Sequence, residues 1–187
     1  MTSTLSRPTT TAPTRPRLDT RSRGALPTRF RLPDLLRITD QGAADVIDGH
    51  YDRLLPDHWD RETRWSTRLH SDDDLDLWLI SWTPDESTEL HDHAGSLGAL
   101  TVLSGSLVEY RWTGEDLRAR TLDEGDQGAF GLGWVHDVMR NPASPITSEP
   151  TLSVHAYSPP LTAMSYYEVT DHQSLRRTST VLTDVPE

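Results

Sequence analysis

Between residues 75 and 169 the chain is divided into eight short segments in which apolar and polar residues alternate, and none of the gaps has helical spacing. Alternation with period two sends successive side chains to opposite faces, which is the signature of a half-buried strand. The segments are 75–82, 99–103, 107–112, 118–122, 127–130, 135–140, 152–157 and 164–169. The breaks carry Gly, Pro, Asp and Ser, as at Ser104-Gly105, Thr113-Gly114-Glu115, Glu124-Gly125-Asp126 and Asn141-Pro142. Short strands at regular spacing without helices between them predict an all-β fold, an antiparallel sandwich or a closed barrel.

The chain upstream reads differently. Pro33-Asp34-Leu35-Leu36 opens a helix, with apolar residues at helical spacing through Val46, Ile47 and Tyr51. Residues 57–63 suggest a short helix or turn, and Ser71-Asp72-Asp73-Asp74 a solvated turn. Residues 1–30 are rich in Thr, Ser, Pro and Arg and have no apolar stretch, so they predict a disordered extension and no secretory signal. Polar text from 173 to 187 predicts a flexible tail. The single folded domain therefore spans 31–172.

Charge narrows the partners. The chain of 187 residues has a formal charge of −11, with seven arginines against one acid in residues 1–31 and the remainder near −17. That balance argues against nucleic acid or an anionic membrane as a default partner. No apolar run approaches the roughly 18 residues of a membrane span. With no cysteine there is no disulfide, no thiol nucleophile and no thiolate ligand, so any metal must take N and O donors.

Such donors are present. His91 and His93, at i and i+2, project from one face of a strand, and His136 supplies a third imidazole from a distant strand. Spacing alone also fits an exposed pair of strand histidines. His50, His58, His70 and His172 read as surface residues, Trp82 as a core aromatic, and Met164 equally as core or pocket lining.

The glycines around these histidines resemble the paired motifs of the cupins. In the first motif Asp85 stands at the opening Gly, His91 and His93 are in place, Gly98 replaces the usual Glu, and Gly105 closes. In the second come Gly125, Gly131 in place of Pro, Gly133, His136 and, after one extra residue, Asn141. Over residues 60–168 the chain further resembles the cysteine dioxygenase family of non-haem iron thiol dioxygenases. Ser153-Val154-His155-Ala156-Tyr157-Ser158-Pro159-Pro160 is similar to that family's Ser-x-His-x-Tyr-Ser-Pro-Pro signature. Arg64-Trp65-Ser66-Thr67-Arg68-Leu69 is similar to the segment supplying its carboxylate-binding arginine.

The resemblance implies a single jelly-roll-like β-barrel and a site with named roles. Fe(II) would sit on His91, His93 and His136. Tyr157 would steer the bound sulfur and oxygen, with His155 behind it and Ser153 orienting His155. Arg68 is the expected carboxylate ligand, with Arg64 four residues away as its competitor. In animal members the position of Gly98 is a cysteine cross-linked to the tyrosine, and here that bond cannot form. The implied reaction is O2-dependent oxidation of L-cysteine to cysteine sulfinic acid by a cytoplasmic monomer.

The chemistry agrees. Three neutral imidazoles leave an Fe(II) site at +2, one unit more positive than a two-His-one-carboxylate site, which favours an anionic thiolate. Zinc also accepts three histidines. Dioxygenation of another small thiol such as 3-mercaptopropionate, or a non-catalytic metal-binding barrel, stays open at this point.

Overall fold

The structure, a computed structural model, describes residues 29–84 and 86–186. The extension expected over 1–30 lies outside them, save for Arg29 and Phe30. Among the described residues one α-helix, α1 (Leu32–Ile47), and a short 3-10 helix (Asp52–Leu54) precede eleven strands: β1 (Ser66–Ser71), β2 (Asp76–Trp82), β3 (His91–Asp92), β4 (Leu97–Ser104), β5 (Ser106–Trp112), β6 (Leu117–Asp123), β7 (Gln127–Phe130), β8 (His136–Arg140), β9 (Thr151–Ser158), β10 (Ala163–Val169) and β11 (Leu175–Leu182). They form a five-stranded sheet, β1-β2-β9-β4-β7, facing a six-stranded sheet, β11-β10-β3-β8-β5-β6, with every named pairing antiparallel. The all-β fold expected from the strand pattern, and the jelly-roll-like barrel that the resemblance implies, are thus what forms.

The helix forms where its sequence directs. Pro33 occupies the first turn, where its missing N–H costs nothing, and the Asp34 carboxylate accepts the Arg31 N–H at 2.9 Å. It ends before Gly49, whose φ of 78° is the left-handed conformation that closes helices. Its buried face, Leu35, Thr39, Gly42, Ala43 and Val46, packs on the outside of the five-stranded sheet against Leu77, Leu79, Ala99, Val154 and Ala156. This explains why β2 and β9 are buried on both faces. Their other face, with Trp78, Ile80 and Trp82 on β2, meets Leu107, Val138 and Met164 of the second sheet to fill the barrel.

The flexible tail expected over 173–187 does not form: Leu175–Leu182 pairs along β10 as an edge strand, and Arg177 donates to the Tyr167 hydroxyl at 3.0 Å. Two solvated faces erased its alternation, and main-chain pairing supplies what hydrophobic burial does not.

Candidate metal centre

The histidines expected to converge do so. His91 on β3 lies opposite His136 on β8, and His93 follows directly after β3. Their ligand atoms all lie within 4.8 Å of one another, and all three side chains are buried. The Nε2 atoms of His91 and His93 are 3.2 Å apart. An ion about 2.0–2.1 Å from each nitrogen, at tetrahedral or octahedral angles, needs a separation of about 2.9–3.4 Å.

Hydrogen bonds aim the donors. His91 Nδ1 faces the Glu89 carbonyl at 2.9 Å, and His136 Nδ1 faces Glu109 Oε1 at 2.9 Å. Each acceptor holds the ring proton on Nδ1, which leaves the Nε2 lone pair directed into the site. His136 Nε2 is buried and has no hydrogen-bond partner among the described residues. An orphaned buried acceptor costs about 1–3 kcal/mol unless something fills it, and a cation there does so. Burial first, and then the neighbouring His136, lower the His91 pKa to about 3. Burial first, and then the His91, His136 and His155 rings, press His93 the same way, so both rings are neutral near physiological pH.

Gly98 shows what replaces an acidic ligand. A Cβ there would stand 2.8 Å from Phe130 Cδ2 and 3.4 Å from Tyr157 Cε1. The Phe130 ring lies against His136 at 4.2 Å between centroids and against His93 at 5.7 Å. An apolar ring therefore occupies the space beside His93 and His136 where an acidic side chain at position 98 would have to lie. Gly98→Ala is expected to cost about 1–3 kcal/mol by overpacking, seen as a lower thermal midpoint. An unchanged midpoint would mean that Phe130 turns aside freely.

Ser153, His155 and Tyr157 share the inner face of β9, as alternation requires. Trp82 Nε1–H donates to Ser153 Oγ at 2.8 Å, Ser153 Oγ lies 2.8 Å from His155 Nε2, and His155 Nδ1 lies 3.3 Å from the Tyr157 hydroxyl. An indole N–H can only donate. Ser153 accepts from Trp82 and has its own O–H free to donate to His155 Nε2; in that tautomer of His155, Nδ1–H donates to the Tyr157 oxygen. The Tyr157 proton is then left for the pocket. Burial raises the Tyr157 pKa, which keeps that proton in place near neutrality. Trp82, which read as core packing alone, thus also anchors the Ser153 end of the relay. The small pocket in front is lined by Trp82, His91, His93, Phe130, His136, Val138, His155 and Tyr157.

Arg68 does not join them. Its guanidinium stacks over Trp78 at 4.6 Å, donates to the backbone oxygen and carboxylate of Asp184 at 2.9 and 3.1 Å, and lies 3.7 Å from Asp76. Arg64 lies toward the cluster instead. Its guanidinium lies 4.1 Å over the Trp82 ring, and its positive charge helps hold His91 and His155 in their neutral forms. On its other side it lines a surface cleft with Trp65, Ser66, Glu86, Ser87 and Pro186.

Sequence reasoning also missed Glu109, 1% exposed on the inner face of β5. It shares the alternate face of β5 with Leu107, a pattern that no apolar periodicity marks at a carboxylate. Met164 is fully buried in the barrel core, whereas His50, His58, His70 and His172 are exposed.

The family described as cysteine dioxygenase type I matches residues 56–170, more than half of the chain and every residue of the site. The chain belongs to the cysteine dioxygenase type I family. The family is one of thiol dioxygenases, and its matched region begins after α1 and ends just beyond β10. Among solved structures, a protein from Thermus thermophilus is 20% identical with a TM-score of 0.46, over 58% of this chain and 92% of its own. A protein from Bacillus halodurans is 18% identical with a TM-score of 0.47, over 70% of this chain and 84% of its own. A cupin superfamily protein from Desulfitobacterium hafniense is 14% identical with a TM-score of 0.45, over 57% of this chain and 84% of its own.

Proposed function

We propose that this protein oxidises L-cysteine to cysteine sulfinic acid with O2, at an iron(II) held by His91, His93 and His136. The observation that carries the reading is the placement of Arg64: a cation stacked 4.1 Å over Trp82, the indole that itself lines the pocket in front of the His91, His93 and His136 imidazoles, with its charge felt at His155. Iron bound there would supply the seat for a thiolate and the activation of O2. Conversion of a thiol and O2 to a sulfinic acid balances without an external electron donor, since both oxygen atoms end on sulfur.

The chain's own residues do the rest. Arg64 receives the substrate carboxylate through its planar fork, and the indole beneath fixes the plane of that fork. Tyr157, at the end of the relay anchored by Trp82 through Ser153 and His155, presents a hydroxyl proton, steering the reacting sulfur and oxygen. Phe130 and Val138 exclude water from the imidazole cluster. Reduced iron and a free thiol favour a cytoplasmic setting, and no helix among the described residues is long and apolar enough to cross a membrane.

A 3-mercaptopropionate dioxygenase is the nearest second reading, because that substrate has the carboxylate but no amine. Members of that subgroup tend to carry Gln where the carboxylate-binding arginine stands, so an arginine at Arg64 favours cysteine. Iron-loaded protein in an oxygen electrode is expected to consume O2 with L-cysteine and to release an equal amount of cysteine sulfinate. Turnover of 3-mercaptopropionate alone would transfer the assignment to that substrate. No turnover with any thiol would overturn the enzyme reading.

A further inference from the structure

The three imidazoles differ in what stands behind them. His91 leans on a backbone carbonyl, a neutral acceptor, whereas His136 leans on the Glu109 carboxylate. Glu109 lies on β5 with Val138 of β8 on one side and Arg120 of β6 on the other. Both of its oxygens are used: Oε1 is 2.9 Å from His136 Nδ1, and Oε2 accepts from Arg120 Nε at 2.6 Å. Arg120 is half exposed and borders an open groove with Arg111, Arg118 and Trp134. A hydrogen-bonded line therefore runs from solvent through a cation and a buried anion to one ligand ring.

A fully buried carboxylate is expensive unless both its charge and its lone pairs are answered. Here one answer is a guanidinium and the other is an imidazole N–H. Bonding to a carboxylate makes the imidazole a stronger donor and fixes its plane. Apolar packing needs no glutamate at this point, since the adjoining inward residues Leu107 and Val138 already fill the barrel.

We infer that Glu109 is a positioning residue for the metal, supplying through His136 the negative charge absent from the ligand set at Gly98. Arg120 tunes that charge from the solvent side. The inference rests on the three histidines being the metal site, and the test separates the two ideas.

The probe is Co(II) alone, added to metal-free protein and followed by its visible absorption and by competition with a chelator. Wild-type protein is expected to bind one equivalent. Glu109→Gln, which keeps shape and a hydrogen-bond acceptor but removes the charge, is expected to bind about 10–100-fold more weakly with a shifted spectrum. Arg120→Gln, which leaves the carboxylate anionic, is expected to bind at least as tightly as wild type. If the wild type takes up no Co(II), the site reading itself fails. If the wild type binds and Glu109→Gln matches its affinity and spectrum, the role of Glu109 is refuted. Equal weakening in Glu109→Gln and Arg120→Gln would assign the pair to barrel stability and refute it as well. Should Glu109→Gln prove unfolded by circular dichroism, Glu109→Asp replaces it: weaker affinity with a shifted spectrum supports the role, and wild-type values refute it.

Discussion

Replacing Arg64 with glutamine is expected to lower kcat/KM for L-cysteine by roughly 30- to 5,000-fold, the equivalent of about 2–5 kcal/mol for losing one partner of a desolvated charge pair. The same change at Arg68 should leave kcat/KM within about threefold, because Arg68 is engaged with Asp184 and Asp76 and stacked on Trp78. The loss at Arg64 should fall mainly on KM, since a carboxylate contact made equally in ground and transition states is uniform binding. Cysteamine, which lacks the carboxylate, provides the matching control. Wild-type protein should prefer cysteine over cysteamine, and Arg64→Gln should erase that preference, as a direct pairing between the two groups requires. A preference that survives in Arg64→Gln and vanishes in Arg68→Gln would return the role to Arg68.

That pair of arginines marks where sequence reasoning stops. Residues four apart on a strand share a face, so alternation cannot choose between 64 and 68. The choice is made along the strand, by register. Arg68 lies opposite Trp78, toward the hairpin, whereas Ser66 lies opposite Ile80 and the chain before it continues toward Trp82. Only pairing partners carry that information. By contrast, the inner face of β9 was legible because period two decides faces, whereas the imidazole set was legible from the His-x-His spacing together with the glycine framework around it. β11 was not, since an edge strand solvated on both faces has no apolar alternation to display. β3 is two residues long, too short for any periodicity. Glu109 was hidden for a different reason. Hydrophobic pattern finds strands by their apolar residues, so a buried carboxylate reads as an outward position until its partners are known.

Replacing His93 with asparagine is expected to remove metal binding and, with it, turnover, by roughly three orders of magnitude or more. Of the three imidazoles it is the cleanest to test. Its Nε2 meets only the Nε2 of His91 among the hydrogen-bonded contacts, whereas removing His136 would also strand the Glu109 carboxylate. Asparagine retains part of the ring's volume against Tyr157 and Phe130, which limits the cavity that alanine would open. The readout is thermal. A metal that binds only the folded state stabilises it by RT ln(1 + [L]/Kd), about 2.7 kcal/mol at a hundredfold excess over Kd. Wild-type protein should show that rise in midpoint with Fe(II) under anaerobic conditions, and His93→Asn should show none. His155→Asn supplies the contrast, because His155 serves the Ser153–Tyr157 relay and gives no donor to the cluster. It should keep the metal-dependent rise while losing turnover. A rise that persists in His93→Asn and disappears in His155→Asn would mean that the metal sits on a different set of histidines, and the assignment of His91, His93 and His136 would be wrong.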